Sequence, residues 1–411
     1  MGLFTRLWGP RKAARAISYE TGLINGLCEP PTRSGVVVTD YSALGVSAVW
    51  CACNVISQSI GSLPFTLYED QGDGTYRPAD NHPLTPVLDE EPNPETTARV
   101  FWETFVFHCL LHGNGYAEIV RSGSGRAVEL WNIHPRNVTP ERDRDGKLVY
   151  RITVGGITTM LPPEDVLHVP GLGDGSGVGF DLLKLARDNI SFSISADRYG
   201  QAYFGNAGNA GLYITTPQGM SEKAVENIRR SFQRKHVGID ATGSVAILQD
   251  GVTARREALS NDGAQYDETR RFQITEVSRL FNISPVKLHE LGRATWGNLA
   301  TLNTDFWGTT CRPWAEKIEA EVERKLLTRD ERRTYTAEFD ADTLLRGDVT
   351  TRYAAYAVGI QAGFLTPETV AEWEHLPMPP EPAPAPVPAT QDTNSNENTN
   401  QEDDGDTLAA D

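Results

Sequence analysis

Nowhere in the 411 residues does an apolar run reach the ~18 positions a membrane-spanning helix needs. The longest apolar stretch, Phe101 to Leu111, is broken by Glu103, Thr104 and His108. The opening MGLFTRLWGPRKAARA has basic side chains but no apolar block, so no secretory leader is expected. Arg6 stands where a myristoylation signal needs serine or threonine. Cysteine is scarce: Cys28, Cys51, Cys53, Cys109 and Cys311. Their number is odd and no pair has zinc-ligand spacing, since Cys51 and Cys53 are one residue apart. A reduced, intracellular setting is expected.

Positive charge is short as well. Lys and Arg number 38 against 55 Asp and Glu, a net charge of −17. Eight of the acids lie after Leu376, where no Lys or Arg occurs. That leaves 47 acids against 38 bases in the body, near −9. Gripping nucleic acid through many phosphates needs clustered Lys and Arg, so that function class is disfavoured. A protein that lets nucleic acid pass without sticking is not. Enzyme signatures are missing too. GLGDGSGVG (residues 171–179) has neither the Lys-Ser/Thr of a phosphate loop nor G-x-G-x-x-G spacing, so it reads as a flexible joint before a helix. No G-x-S-x-G elbow occurs. His108 and His112 share a helix face in HCLLH, but no third ligand is evident. They read as helix-end histidines beside a core, and no metal or other cofactor is expected.

What is present reads as α+β. Val46, Val49, Cys53, Ile56 and Ile60 step by three or four, one helical stripe from Ser42 to Ser62 that Pro64 ends. PFTLYED and TYRPA predict two strands about a DQGDG turn, and HPLTPVLDEEPNP a proline-rich connector. Thr96 to His112 predicts a second apolar helix closed by Gly113. From Gly115 to Pro170, alternation about Gly-containing turns predicts hairpins of an antiparallel sheet. Then the pattern changes. Phe180 to Phe204 predicts a helix of roughly 35 Å with Leu183, Ala186, Ile190 and Ile194 on one face. A small segment follows: GLYITTP, a helix from Ser221 to His236, and strands in GSVAILQDG and VTARREAL. A second long helix covers about 262–282, through Phe272, Val277 and Leu280 or Phe281. A third covers 298–327, with Pro313 a candidate kink. TYTAEFD predicts a strand, and helices are expected near 348–361 and 367–374. After Pro377 the chain turns to Pro/Ala, then Asn/Asp/Glu, a composition too polar to order itself.

Two stretches stand out. Arg229, Arg230, Arg234, Lys235 and His236 fall within two helical turns; a solvated face is the plain reading and a partner-binding patch the sharper one. Between the second and third long helices, residues 285–297 carry Gly292, Arg293, Trp296 and Gly297 in a flexible loop.

The ordered series SAVWCACNVISQSIGSLPFTLYE, HPLTPVLDEEPNP, HGNGYAEIVR, VELWNIHPRNVTPERDRDGKLVYRIT, LPPEDVLHVPGL, FQITEVSRLFNISPVKLHEL, TLNTDFWGTTCRPWAEKIEAEVERKLL and FDADTLLRGDVTTRYAAYAVGIQAGFLTPETVAEWEHLP resembles portal proteins of tailed bacteriophages. It is most similar to the compact type of siphophages with Hong Kong 97-like capsids. The resemblance covers about residues 41–377, leaving an N-terminal arm (1–40) and an acidic tail (377–411) outside it.

That resemblance implies a dodecameric ring at one capsid vertex, through which double-stranded DNA is packaged and later ejected. It implies partners: the terminase large subunit during packaging, a head-completion or adaptor protein afterwards, and the major capsid protein and scaffold. No membrane partner is implied, and no catalytic residue; the place would be the capsid portal vertex of the virion, assembled in the host cytoplasm. It lays out a wing (41–179), a stem helix (180–206), a clip (207–261), a second stem helix (262–284), a tunnel loop (285–297), a long kinked helix with a wing strand (298–345) and a crown (346–376). Gly292, Arg293, Thr295, Trp296, Gly297 and Asn298 then belong to the DNA channel, and Arg229 to His236 to partner docking on the clip. One arginine per subunit suits a channel where many phosphate contacts would cause friction. The alternative for Trp296 is anchorage on a neighbouring subunit. Two other readings stay open: a different head–tail adaptor ring, and a nucleotide-dependent packaging enzyme.

Overall fold

The computed structural model describes residues 32–205, 212–215, 253–256, 262–290, 299–341 and 349–374, with short pieces in 219–230 and at 344 and 376–377. The predicted first helix is two: α1 (Asp40–Leu44) and α2 (Ser47–Gly61), separated at Gly45 and Val46. Thr39 caps α1 by accepting the Ser42 N–H, while the Ser42 hydroxyl accepts from the Thr39 backbone. The stripe Val49, Cys53, Ile56 and Ile60 is fully buried, as its spacing requires. Strands β1 (Phe65–Asp70) and β2 (Tyr76–Pro78) pair antiparallel about the predicted turn. Helix α3 (Thr85–Asp89) leads to α4 (Ala98–His112), which packs on α2. Trp102 anchors that layer. Its ring meets Phe65, Phe101, Phe105 and Phe339 edge-on, and its indole N–H donates to the Leu88 carbonyl at 2.9 Å.

The hairpins after α4 do not join one sheet. Strands β3 (Asn114–Arg121) and β4 (Ala127–Ile133) pair with each other; β5 (Val138–Arg142), β6 (Leu148–Val154) and β7 (Ile157–Leu161) form a separate meander. Strand β8 (Val166–Pro170) returns to the free edge of β3. A second small core joins the two sheets: Val138, Tyr150 and Ile152 of the meander with Tyr116, Ile133 and Val166 of the β4–β3–β8 sheet. A third sheet places β1 between β2 and β11 (Tyr335–Phe339), with Phe65 opposite Phe339. Among the described residues all pairings are antiparallel, as expected, but β3–β8 and β1–β11 join strands far apart in sequence.

The first long helix is shorter than its pattern. α5 (Leu182–Leu185) is capped by Asp181 and stops at Ala186, and α6 (Arg187–Gly205) spans about 28 Å at ~1.5 Å per residue. Leu183, Ala186 and Ile190 are buried and Ile194 partly so. In the small segment, β9 (Leu212–Thr215) pairs antiparallel with β10 (Thr253–Arg256). Helix α7 (Asp262–Phe281) packs against α6. Val277 and Phe281 face inward, but Phe272 is 54% exposed. Residues 272 and 277 are five apart, about 140° around a helix, so one face cannot hold both. The inward position is Gln273, whose Oε1 accepts from the buried Ser193 hydroxyl of α6 at 2.7 Å.

The third long helix is α8 (Leu299–Asp305), a π-helical turn (Phe306–Cys311) and α9 (Arg312–Leu326), with Pro313 in the first turn of α9. Glu319 and Glu323 of α9 accept the N–H groups of Phe339 and Ala337 at 2.9 and 3.0 Å, covering the outer edge of β11. Residues 347–411 form a second unit. Within it α10 (Val349–Gln361) and α11 (Pro367–Trp373) are joined through Glu374, which pairs with Arg352 and accepts from Tyr356 Oη at 2.9 Å. Among the described residues no helix is long and apolar enough to cross a membrane.

Candidate functional site

The loop singled out in the sequence springs from two feet, and the structure describes both. The first is the end of α7 with the 3-10 turn Pro285–Leu288; the second is α8 with the π turn. Proline 313 explains the π turn. It has no N–H to return to the carbonyl four residues back, Thr309. The Arg312 N–H instead reaches five residues back, to the Trp307 carbonyl. The Thr309 carbonyl accepts from Asn282 Nδ2 at 2.9 Å, and the Thr310 hydroxyl donates to the Asn282 carbonyl at 2.5 Å. Asn282 closes α7 with φ 50°, the left-handed conformation in which asparagine is favoured.

Lys287 makes the second tie. Its ammonium donates to Asn303 Oδ1 at 2.8 Å and lies 4.7 Å from the Phe306 ring centre. Burial lowers its pKa from the ordinary lysine range. His289, with φ 63°, turns the chain out of this foot. Asn282, Lys287 and Asn303 thus hold the loop's two ends together. An asparagine after a helix with proline three residues on is a stop signal that the sequence carries. The tie to Thr309, 27 residues away, has no sequence signature.

Of the residues expected on the loop, Gly292, Arg293, Thr295, Trp296, Gly297 and Asn298 lie outside the described residues. So do Arg234, Lys235 and His236 of the basic run. Arg229 and Arg230 are helical and exposed, and both pair with Glu226, at 3.4 and 3.1 Å. The patch is therefore less positive here than its arginines alone imply. On the α6–α7 pair, charge is locally matched: Arg270 reaches Asp197 at 3.3 Å, Arg271 pairs with Asp267, and Arg279 with Glu276. On the same two helices the side chains Phe192, Tyr199 and Phe272 are exposed.

The glycine-rich stretch 171–179 is a pinned loop, contrary to the flexible joint expected of it. Asn114 Nδ2 donates to the carbonyls of His112 and Gly179, and its Oδ1 accepts the Gly179 N–H at 2.8 Å. The same Oδ1 lies 3.1 Å from His168 Nε2, and His168 Nδ1 lies 3.0 Å from Tyr150 Oη. Gly113 and Gly179 are glycines because the strands of chain touch: a Cβ on Gly179 would stand 2.0 Å from the Gly113 carbonyl oxygen. Burial pulls the His168 pKa down to about 3, so the ring stays neutral in this network.

Comparison with known proteins agrees with this architecture. The family model described as "Phage portal protein" matches residues 47–375. A "Probable portal protein" of Streptomyces phage phiC31 is 29% identical over 394 residues, covering 92% of this chain and 83% of that protein. Among solved structures, an HK97 family phage portal protein from Corynebacterium diphtheriae has a TM-score of 0.58 at 19% identity, covering 76% of this chain and 98% of that one. A chain in the neck of a native gene transfer agent particle, computed with C12 symmetry, has a TM-score of 0.56 at 19% identity, over 82% and 92%. With a family match over most of its length and the mixed α+β fold of its relatives, the chain belongs to the phage portal protein family.

Proposed function

We propose that this chain forms a dodecameric ring at one capsid vertex and that the loop 285–297 borders its DNA channel. The observation that carries the channel reading is the pair of tied feet. Asn282, Lys287 and Asn303 anchor both ends of an otherwise short loop, as a loop pressed by moving DNA requires. Family membership and the C12 symmetry of the related neck support the ring. The exposed Phe192, Tyr199 and Phe272 supply apolar area on the α6–α7 pair for neighbouring subunits, where aromatic anchors are enriched. The separate unit beginning at Gly347 supports a crown, and the β9–β10 pair a clip. On this reading the packaging terminase docks on the clip and a head-completion protein replaces it, while capsid protein and scaffold surround the ring. The body's acidic balance suits a conduit that releases DNA, and no chemical step is assigned to the chain.

The test is the purified full-length protein by negative stain, followed by packaging with Arg293→Ala and Trp296→Ala. Rings with a central hole are expected, and both variants should form rings but package less DNase-protected DNA. Absence of rings refutes the assembly. Rings that dissociate with Trp296→Ala, alongside normal packaging with Arg293→Ala, would make the loop a subunit contact instead.

A further inference from the structure

In the sequence, His108 and His112 have no third ligand beside them. The fold brings one from each of two distant elements. Asp40 at the start of α1, His112 at the end of α4 and His134 after β4 each present a ligand atom, all within 4.8 Å of one another. Asp40 Oδ2 is 3.8 Å from His112 Nε2. The His112 ring is 3% exposed, yet neither of its nitrogens has a hydrogen-bond partner. A buried polar atom left in that condition is unfavourable, and a bound species would relieve it. The His112 and His108 rings each stand 5.2 Å from that of His134, so the site is walled by imidazole.

Burial takes His112 down to about 4 and, being only partial there, lowers His134 less far. Burial pushes Asp40 up, but the hydrogen bond and charge of Arg136 hold its carboxyl below the usual range, so it stays ionised.

We propose that Asp40, His112 and His134 form a binding site for a divalent transition ion of the zinc class. Two imidazole nitrogens and one carboxylate oxygen are a three-ligand zinc set with a fourth position for water. Two nitrogens disfavour calcium and magnesium, which take oxygen. Ligand atoms around tetrahedral zinc stand about 3.4 Å apart, given bonds of ~2.0–2.2 Å. Small side-chain rotations close the present separations to that value. Arg136 sets the affinity. Its Nε donates to Asp40 Oδ2 at 2.7 Å and its Nη2 to Oδ1, while its backbone N–H donates to His134 Nδ1 at 3.2 Å. Each carboxylate oxygen keeps a second lone pair, so the guanidinium can remain as an outer partner. His134 must give up the backbone bond to serve as a ligand, through Nδ1 directly or, with the ring proton moved to Nδ1, through Nε2. The arginine charge also opposes the ion, so binding is micromolar rather than permanent. An ion there fastens the segment entering α1 to the ends of α4 and β4.

The test uses tag-free full-length protein, stripped with chelator and titrated with zinc against a chromophoric chelator. One zinc per chain is expected. His134→Ala, an exposed position, and Asp40→Asn should each weaken it at least tenfold with an unchanged circular dichroism spectrum. Arg136→Ala should tighten it several-fold, an effect that lost structure would not produce. Cobalt in place of zinc should give the intense visible bands of a tetrahedral site. No binding in the micromolar range, or binding unchanged in His134→Ala and Asp40→Asn, overturns the assignment.

Discussion

Asn282 offers the sharpest test of how the loop's feet are joined. Its replacement by alanine removes the donor to the Thr309 carbonyl and puts a residue at φ 50° that has no side-chain support there. The bond is exposed, so water partly replaces it and about 0.5–1 kcal/mol is lost. The left-handed conformation adds about 1 kcal/mol for alanine. Asn282→Ala should therefore cost about 1.5–2 kcal/mol. Asn282→Gly loses the same bond but adopts φ 50° freely, and its greater unfolded-state freedom takes back part of that relief. It should cost about 1 kcal/mol. Pro313 supplies the second axis of the argument. Pro313→Ala restores an N–H that can return to Thr309, so the asparagine is needed less. In that background the cost of Asn282→Ala should fall by about 0.5–1 kcal/mol, a coupling well above the additivity expected of independent sites. The assay is urea unfolding of the full-length chain at one fixed concentration, followed by tryptophan fluorescence. Glycine costing as much as alanine would refute the backbone argument, and strict additivity with Pro313→Ala would refute the proline account of the π turn.

Two further outcomes test other parts of the structure. Burial, with like charge from Glu338, Glu316 and Glu323, pushes Glu319 up to about 7, against the pull of the Phe339 N–H it accepts. The folded chain then binds a proton that the unfolded chain releases near 4.5, so stability should decline as pH rises from about 4.5 to 7. Glu319→Gln keeps the acceptor without the charge and should gain ~1 kcal/mol at pH 8, after discounting for its partial exposure, with no gain at pH 4; an equal gain at both would refute this. Asn114→Ala empties the centre of a buried network of four hydrogen bonds and should lower stability by about 3–4 kcal/mol in the same urea assay, while a loss under 1 kcal/mol would mean that the 171–179 loop is not pinned by it.

Local pattern by itself determined most of the element inventory. The stripe from Val49 to Ile60, the Gly113 stop after HCLLH and the alternation of Tyr150 and Ile152 in β6 act over a few residues, and burial follows them; β3, expected to alternate, is instead buried on both faces because β4 and β8 flank it and helices cover it. Family order along the chain was legible too, because it is a property of the string. Which strand edges meet was decided only in three dimensions. Strand β8 completes β3, and β11 reaches β1 across some 270 residues, because free edges seek partners regardless of sequence distance. The same holds for the sites. Proline 313 announced a kink, but its orphaned carbonyl is met by an asparagine on another helix. His112 read as a helix-end histidine beside a core, and the carboxylate and imidazole that face it stand at positions 40 and 134. Periodicity records which face a residue takes; it carries no record of what the facing element holds, and that is set by packing alone.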